Sequence, residues 1–299
     1  MNKIIAVVVT YNRLEMLKKC IDALQKQTVD CDILVVNNNS TDATEDWCVS
    51  VCDGAKIQYF NTNANIGGAG GFNIGMRKAV EKGYSHVWIM DDDCIPNKDS
   101  LEKLMEAEAL VGGSNSYGFL SSNVLWTDGN ECKMNRQKYN TKLKVEESIA
   151  QQGIVAVTQA TFVSLLFPRE TILKYGLPIK EFFIWGDDIE YTRRIAVRNN
   201  IPSYKVEKSV VVHAMKDNNG SSIATDGDER LGRYNYAFRN ENYLYRKEGI
   251  KGICFYVAKC MVNILRILIK SPDSKLKRCK IITNNLVKGI CFNPDIEHI

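Results

Sequence analysis

An alternation of apolar runs and amphipathic segments constrains this chain most. Residues 4–9 are an unbroken β-branched and apolar run closed by Thr10, Tyr11 and Asn12, which is how a strand covered on both faces reads. In residues 13–27, Leu14, Leu17, Ile21 and Leu24 fall at helical spacing. The pattern repeats as strand 33–36, a helix through Trp47 and Val51, strand 57–60, a Gly-rich turn, helix 75–82 and strand 86–90. Such alternation with short connections predicts an α/β fold, a mostly parallel central sheet flanked by helices. Right-handed crossovers put the C-terminal ends of the strands on one edge, where open α/β sheets bind ligands. The polar segments 10–12, 37–42, 61–71 and 91–93 all fall at those ends, so they converge on one crevice.

The second half is less regular. It reads as strands 154–157 and 162–167, a short helix 170–175, a helix 188–199, strand 204–212, a mobile loop 218–228 and a helix 234–246 with an aromatic face. A helical tail over 250–270 carries Phe255, Ala258, Val262, Leu265 and Ile269 on one side. Between Arg246 and Lys280 ten Lys or Arg stand against Glu248 and Asp273, while the whole chain carries only +4. The body is therefore slightly acidic and the tail basic, too weak an overall charge to imply nucleic acid. Hydrophobic residues at 45% and charged residues at 25% exclude a disordered chain or a coiled-coil rod. Ten cysteines without one CxxC pair argue against structural zinc and suit a reducing cytoplasm. The start, Met-Asn-Lys before a strand, reads as leaderless, and without 18 consecutive uncharged apolar residues no membrane span is expected.

Asp91, Asp92 and Asp93 end an apolar strand. They read either as a solvated turn or as a site where a divalent cation offsets their mutual repulsion. Residues 65–72 place four glycines in five positions ahead of a helix, either a tight turn or a backbone cradle for an anion. That run fits neither GxGxxG nor GxxxxGK[ST]. Trp185, Gly186, Asp187 and Asp188 open a helix; the acids either cap it or supply a base beside an aromatic sugar platform. His213 ends a strand and is either a satisfied histidine or a metal ligand. In residues 238–243, Arg239 is either on an exposed helix face or on a phosphate.

The succession of residues 7–13, 36–42, 91–93 and 186–188 resembles the inverting GT-A glycosyltransferases of family 2 over most of residues 1–245. The Gly run, residues 185–191, the His213 segment and Arg239-Asn240 look most like the galactofuranosyltransferase branch, with rhamnosyltransferases close by. The resemblance implies a nucleotide-sugar-binding half at 1–115, an acceptor-binding and catalytic half at 116–245 and a basic helical tail at 246–299. It implies donor contacts from Thr10, Arg13, Asn37, Asn65, Gly68, Asp91, Asp92, Trp185 and Arg239. Asn37 stands where the family usually has an Asp against the base. Asp91, Asp93 and His213 match the ligands of Mn²⁺ or Mg²⁺, Asp188 the catalytic base, and Asp187 its neighbour on the acceptor hydroxyl.

The activity implied is transfer of one or a few galactofuranosyl residues from UDP-galactofuranose to a glycan or lipid-linked oligosaccharide in bacterial cell-surface polysaccharide synthesis. The alternatives are rhamnosyl transfer from dTDP-rhamnose, a sugar nucleotidyltransferase and a non-catalytic nucleotide-sugar binder. Residues 10–13, Thr-Tyr-Asn-Arg, lack the Gly-rich basic loop a nucleotidyltransferase needs. A cytoplasmic protein is expected, its tail packed on the body or a twin subunit, or resting on the inner face of the membrane.

Overall fold

The computed structural model describes residues 3–299. The first four apolar runs form β1 (Ile4–Thr10), β2 (Asp32–Asn37), β3 (Ile57–Asn61) and β4 (His86–Asp91). β1 is buried along its whole length because β2 and β4 flank it, both in parallel, and β3 extends β2 in parallel. The crossovers are α1 (Leu14–Gln25), α2 (Thr44–Val51) and α3 (Gly67–Glu81). α1 covers one face of the sheet, with Leu17, Cys20, Ile21 and Leu24 packed among Val8, Val35 and Trp88. α3 covers the other, where Phe72, Met76 and Val80 meet Val7, Val36 and Ile89. Burial of each such side chain contributes ~1.5–3 kcal/mol.

The chain continues through β5 (Cys94–Pro96), α4 (Ser100–Leu110), β6 (Leu120–Trp126), β7 (Lys138–Tyr139), α5 (Glu147–Ala150), β8 (Ile154–Gln159) and β9 (Leu165–Pro168). It then forms α6 (Arg169–Tyr175), α7 (Asp187–Arg193) and β10 (Tyr204–His213). The strands lie in the order β3-β2-β1-β4-β9-β6-β10-β8-β7, with β5 pairing β10 off that path. Parallel pairing thus dominates the first half, whereas β9 runs antiparallel between β4 and β6.

The glycine run is not the loop expected from the sequence. It forms the first two turns of α3, which begins at Gly67, eight residues earlier than the spacing implied. The glycines let the helix lie close on β1: a Cβ at Gly71 would stand 2.6 Å from Val9 Cγ1, and one at Gly75 2.4 Å from Val7 Cγ1. The helix expected over 188–199 is also shorter, α7 giving way to a π-helical turn at Arg194–Arg198.

Three helices follow: α8 (Asp228–Arg246), α9 (Gly249–Lys270) and α10 (Lys275–Cys291). They enclose a core of their own that includes Leu231, Phe238, Tyr256, Ile267 and Ile282, with Trp185 packed against it. Residues 292–297 then return to the sheet domain. The Leu177 N–H donates to the Glu297 carbonyl at 2.8 Å, and the Glu297 carboxylate accepts from Asn73 and Arg77, each at 3.1 Å, and pairs with Lys180. α9 is 22 residues long and its most apolar 18 residues average a hydropathy of 1.8, enough by length and composition to cross a membrane, although Lys259 and Arg266 interrupt any uncharged run.

Candidate active site

β4 ends at Asp91, level with Val9 of β1, and Asp92 and Asp93 form the turn into β5. Adjacent carboxylates need compensation, and the crevice supplies it. The Thr10 hydroxyl donates to Asp92 Oδ2 at 2.7 Å, and Arg13 Nη1 reaches Asp92 Oδ1 at 3.2 Å and Asp93 Oδ2 at 2.6 Å. The antiparallel register of β5 on β10 sets Cys94 opposite His213, which brings a residue 120 positions away to the acids. His213 Nε2 lies 3.0 Å from Asp93 Oδ1, and Nδ1 lies 2.7 Å from Asn135 Oδ1.

The ligand atoms of Asp91, Asp93 and His213 all lie within 4.8 Å of one another. Two carboxylates and an imidazole nitrogen fit a hard or borderline divalent cation such as Mg²⁺ or Mn²⁺. Asn135 fits the same reading, because its oxygen engages Nδ1 and leaves Nε2 facing the acids. Burial pushes Asp91 upward and the charge of Asp93 adds to the shift, whereas His213 and Arg13 hold Asp93 low against its burial. Burial lowers His213, but Asp93 more than reverses this and keeps the imidazole protonated well above neutrality. Arg13 and that proton balance the acids; a cation ligated at Nε2 would displace the proton, because a ligating imidazole is neutral.

A second cluster lies on the segment leading into α7. The Ile184 N–H donates to the Phe182 carbonyl at 2.7 Å around Phe183 at φ 63°, ψ −61°, a strained γ-turn. Trp185 at φ 61° and Gly186 at φ 89° follow, so three of four consecutive residues are left-handed. Each non-glycine residue so held costs ~1–3 kcal/mol unless its surroundings enforce it.

Asn240 of α8 enforces it. Fully buried, its amide donates to the carbonyls of Phe182 (3.0 Å), Ile184 (3.2 Å) and Trp185 (2.8 Å). The Ala69 N–H of α3 donates to the Phe183 carbonyl at 3.2 Å, and Gly67 passes so close to that carbonyl that no Cβ fits. The strained turn therefore delivers Asp187 and Asp188 to the N-terminus of α7. Asp188 accepts the Ile189 N–H at 2.7 Å, and burial pushes it up to about 6. Asp187 is raised further, by burial and then by the charges of Asp188 and Asp91, which puts both acid clusters in one electrostatic field.

Two expected donor contacts are placed otherwise. Asn37 is fully buried with one bond at each end of its amide, Nδ2 donating to Tyr59 and Oδ1 accepting the Ser40 N–H, which leaves it less free for a base. Its neighbour Asn38 keeps Oδ1 free, the one buried side-chain oxygen without a hydrogen-bond partner among the described residues. Arg239 is bound to the Glu181 carbonyl at 2.6 Å and to Asn240, and lies 3.9 Å over the Phe292 ring; its fork braces the γ-turn segment. Thr10, Arg13, Asp91, Asp92, Asp93 and His213 do gather in one crevice. Asn65 caps the start of α3 through the Gly67 N–H (3.0 Å), and Gly68 borders open space. Trp185 packs edge-on to Tyr234, 5.0 Å between centroids, with Arg230 5.9 Å over its ring. Arg233 is lowered by burial and by the charges of Arg230 and Arg13, which puts it within reach of both cations. Asn135 is not foreseen and Asn240 is named only beside Arg239 with no role of its own, since an Asn carries no sequence signal of what it will tether.

Residues 5–118 match the family model described as Glycosyl transferase family 2. The chain is 25% identical over 268 residues to galactofuranosyltransferase GlfT1 of Mycolicibacterium smegmatis, covering 82% of this chain and 84% of that protein. It is 27% identical over 304 residues to the dTDP-rhamnosyl transferase RfbF of Shigella flexneri, covering 97% of each. The crystal structure of GalNAc-T7 with UDP, GalNAc and Mn²⁺ superposes at a TM-score of 0.66 and 13% identity, over 95% of this chain. The chain spans 54% of that structure, about half its length, and the likeness is one of fold.

Proposed function

This chain carries a family 2 glycosyltransferase domain on a GT-A fold, and from that premise we propose that it is an inverting, metal-dependent galactofuranosyltransferase. The donor is UDP-galactofuranose and the acceptor a glycan or lipid-linked oligosaccharide of a cell-surface polysaccharide. Residues 1–115 take the nucleotide sugar, and residues 116–245 supply the acceptor side and the base. The observation that carries the reading is the strained turn that holds Asp187, with Asp188 next to it, in the electrostatic field of Asp91, which itself lies beside Asp93 and His213.

In this reading Asp188 takes the proton of an acceptor hydroxyl as its oxygen attacks the anomeric carbon. The bond from that carbon to the diphosphate oxygen breaks on the opposite face, so the configuration inverts. Asp187, kept protonated by burial, donates a hydrogen bond that orients the attacking group. Asp91, Asp93 and His213 would hold a divalent cation, which when bound would supply Lewis-acid neutralisation of the leaving diphosphate. Arg13, Arg230 and Arg233 add fixed positive charge on that side. Trp185 lines the sugar, and Asn38 takes over the base-side role expected of Asn37.

The likeness to RfbF over nearly the whole chain favours one second reading, rhamnosyl transfer from dTDP-rhamnose. Release of nucleoside diphosphate from UDP-galactofuranose, UDP-galactopyranose, UDP-glucose and dTDP-rhamnose, with and without Mn²⁺ and with pooled oligosaccharide acceptors, separates them. Metal-dependent release from UDP-galactofuranose is expected. Release from dTDP-rhamnose alone would replace the donor, and absence of nucleotide binding would overturn the site.

A further inference from the structure

α9 is apolar on two opposite sides, and only one is covered. Tyr256, Cys260 and Ile267 form the buried stripe, pinned to α8 by the Tyr256 hydroxyl on the Phe238 carbonyl at 2.7 Å. On the other side Ile250 and Ile269 are 80% and 78% exposed, with Met261 and Leu265 between them, and α10 adds Leu276 at 81% and Val287. Only 22% of the apolar window of α9 is buried. Cations accompany this face. Lys259 and Lys277 are paired with Glu241 and Asp228, but Arg266, Lys270, Lys280 and Lys288 make no salt bridge among the described residues.

We propose that this face docks on an anionic bilayer surface, with α9 and α10 lying in the plane of the interface. An exposed apolar stripe edged by unpaired cations is the combination that partitions into a charged headgroup layer. Spanning is disfavoured on two counts: it would strip the Tyr256–Ile267 stripe from α8, and it would put the charges of Lys259 and Arg266 in hydrocarbon. A second copy is a poorer occupant, because a twofold contact through this face sets its unpaired cations against themselves. The inference deepens the transferase reading and rests on it only for the acceptor: α8 carries both the docking helices and Asn240, so a lipid-linked acceptor would meet the catalytic turn at the membrane surface.

The test is flotation of the full chain with phosphatidylcholine vesicles with and without phosphatidylglycerol. Binding is expected only with phosphatidylglycerol and should fall as salt rises. The double variants Leu265→Ser/Ile269→Ser and Arg266→Glu/Lys270→Glu, all at exposed positions, should each lose about tenfold in partition or more, with unchanged circular dichroism and UDP binding. No binding by the intact chain, binding indifferent to lipid charge, or a dimer in sedimentation velocity that both double variants dissolve would overturn the inference. Turnover on soluble acceptors without vesicle binding would sink the docking face and leave the transferase standing. Vesicle binding without turnover of any donor would do the reverse.

Discussion

Asn240 divides one buried amide among three carbonyls, and the geometry of Asp187 and Asp188 depends on that arrangement. Loss of these donors leaves polar carbonyls unsatisfied at ~1–3 kcal/mol and frees the turn to relax. Asn240→Ala should therefore lower kcat by about tenfold or more while the donor KM stays within about twofold. A matched rise in KM would instead make Asn240 a binding residue. Asp188 gives the pH dependence. Below about 6 its carboxyl keeps its own proton and cannot accept one, so kcat/KM should fall about tenfold per pH unit on the acid side and level off above it. A profile flat down to the ordinary carboxylate range near pH ~4 would contradict the assignment. At this scale the gathering of Asp91, Asp93 and His213 is legible, whereas the partners of Arg239 and of the amides are not. An Asp-rich strand end announces itself, whereas Asn37 and Asn38 differ only in which one the Ser40 N–H and Tyr59 happen to engage.

At the scale of elements, α3 is a helix whose glycines serve two masters. Gly71→Ala and Gly75→Ala push a methyl into Val9 and Val7 of the buried strand, and each should destabilise the protein by ~1–3 kcal/mol in urea titration. Gly68→Ala meets nothing within 4 Å and should be neutral or up to ~1 kcal/mol stabilising; equal loss in all three would refute packing as the reason for the run. The run read as a turn because four glycines depress helix propensity, and only β1 lying beneath reveals the compensation. β6 escaped notice for the opposite reason. Ser121, Ser122 and Asn123 break its apolar run, yet the Ser122 hydroxyl is satisfied inside the sheet by Ser164 at 2.6 Å and Ser209 at 2.7 Å. The strands with unbroken apolar runs, β1 to β4, were legible to within one residue at nearly every end.

For the whole molecule, α8 and the tail that follows it both bear on the turn proposed to carry the base. α8 braces the turn before α7, and residues 292–297 return to hold residues 177–182 and α3. Removal of residues 292–299 takes away the Glu297 contacts and the Phe292 ring under Arg239. Such a truncation should lower Tm and reduce kcat more than it weakens UDP binding; an unchanged kcat would show that the strap is dispensable. Amphipathic spacing and charge made the tail visible as a basic helical unit, but nothing in its sequence shows where its last residues fold back. That return is set by a carboxylate finding Arg77, Asn73 and Lys180 across 224 positions or fewer. The central claim joins the scales: the turn braced by α8 presents Asp188 as the proposed base for glycosyl transfer. Its most direct test is sugar transfer by Asp188→Asn beside the unmodified protein, with UDP and Mn²⁺ binding measured on both. The account predicts a rate lower by ~10²–10⁴-fold with both ligands still bound. Transfer at the unmodified rate would contradict it.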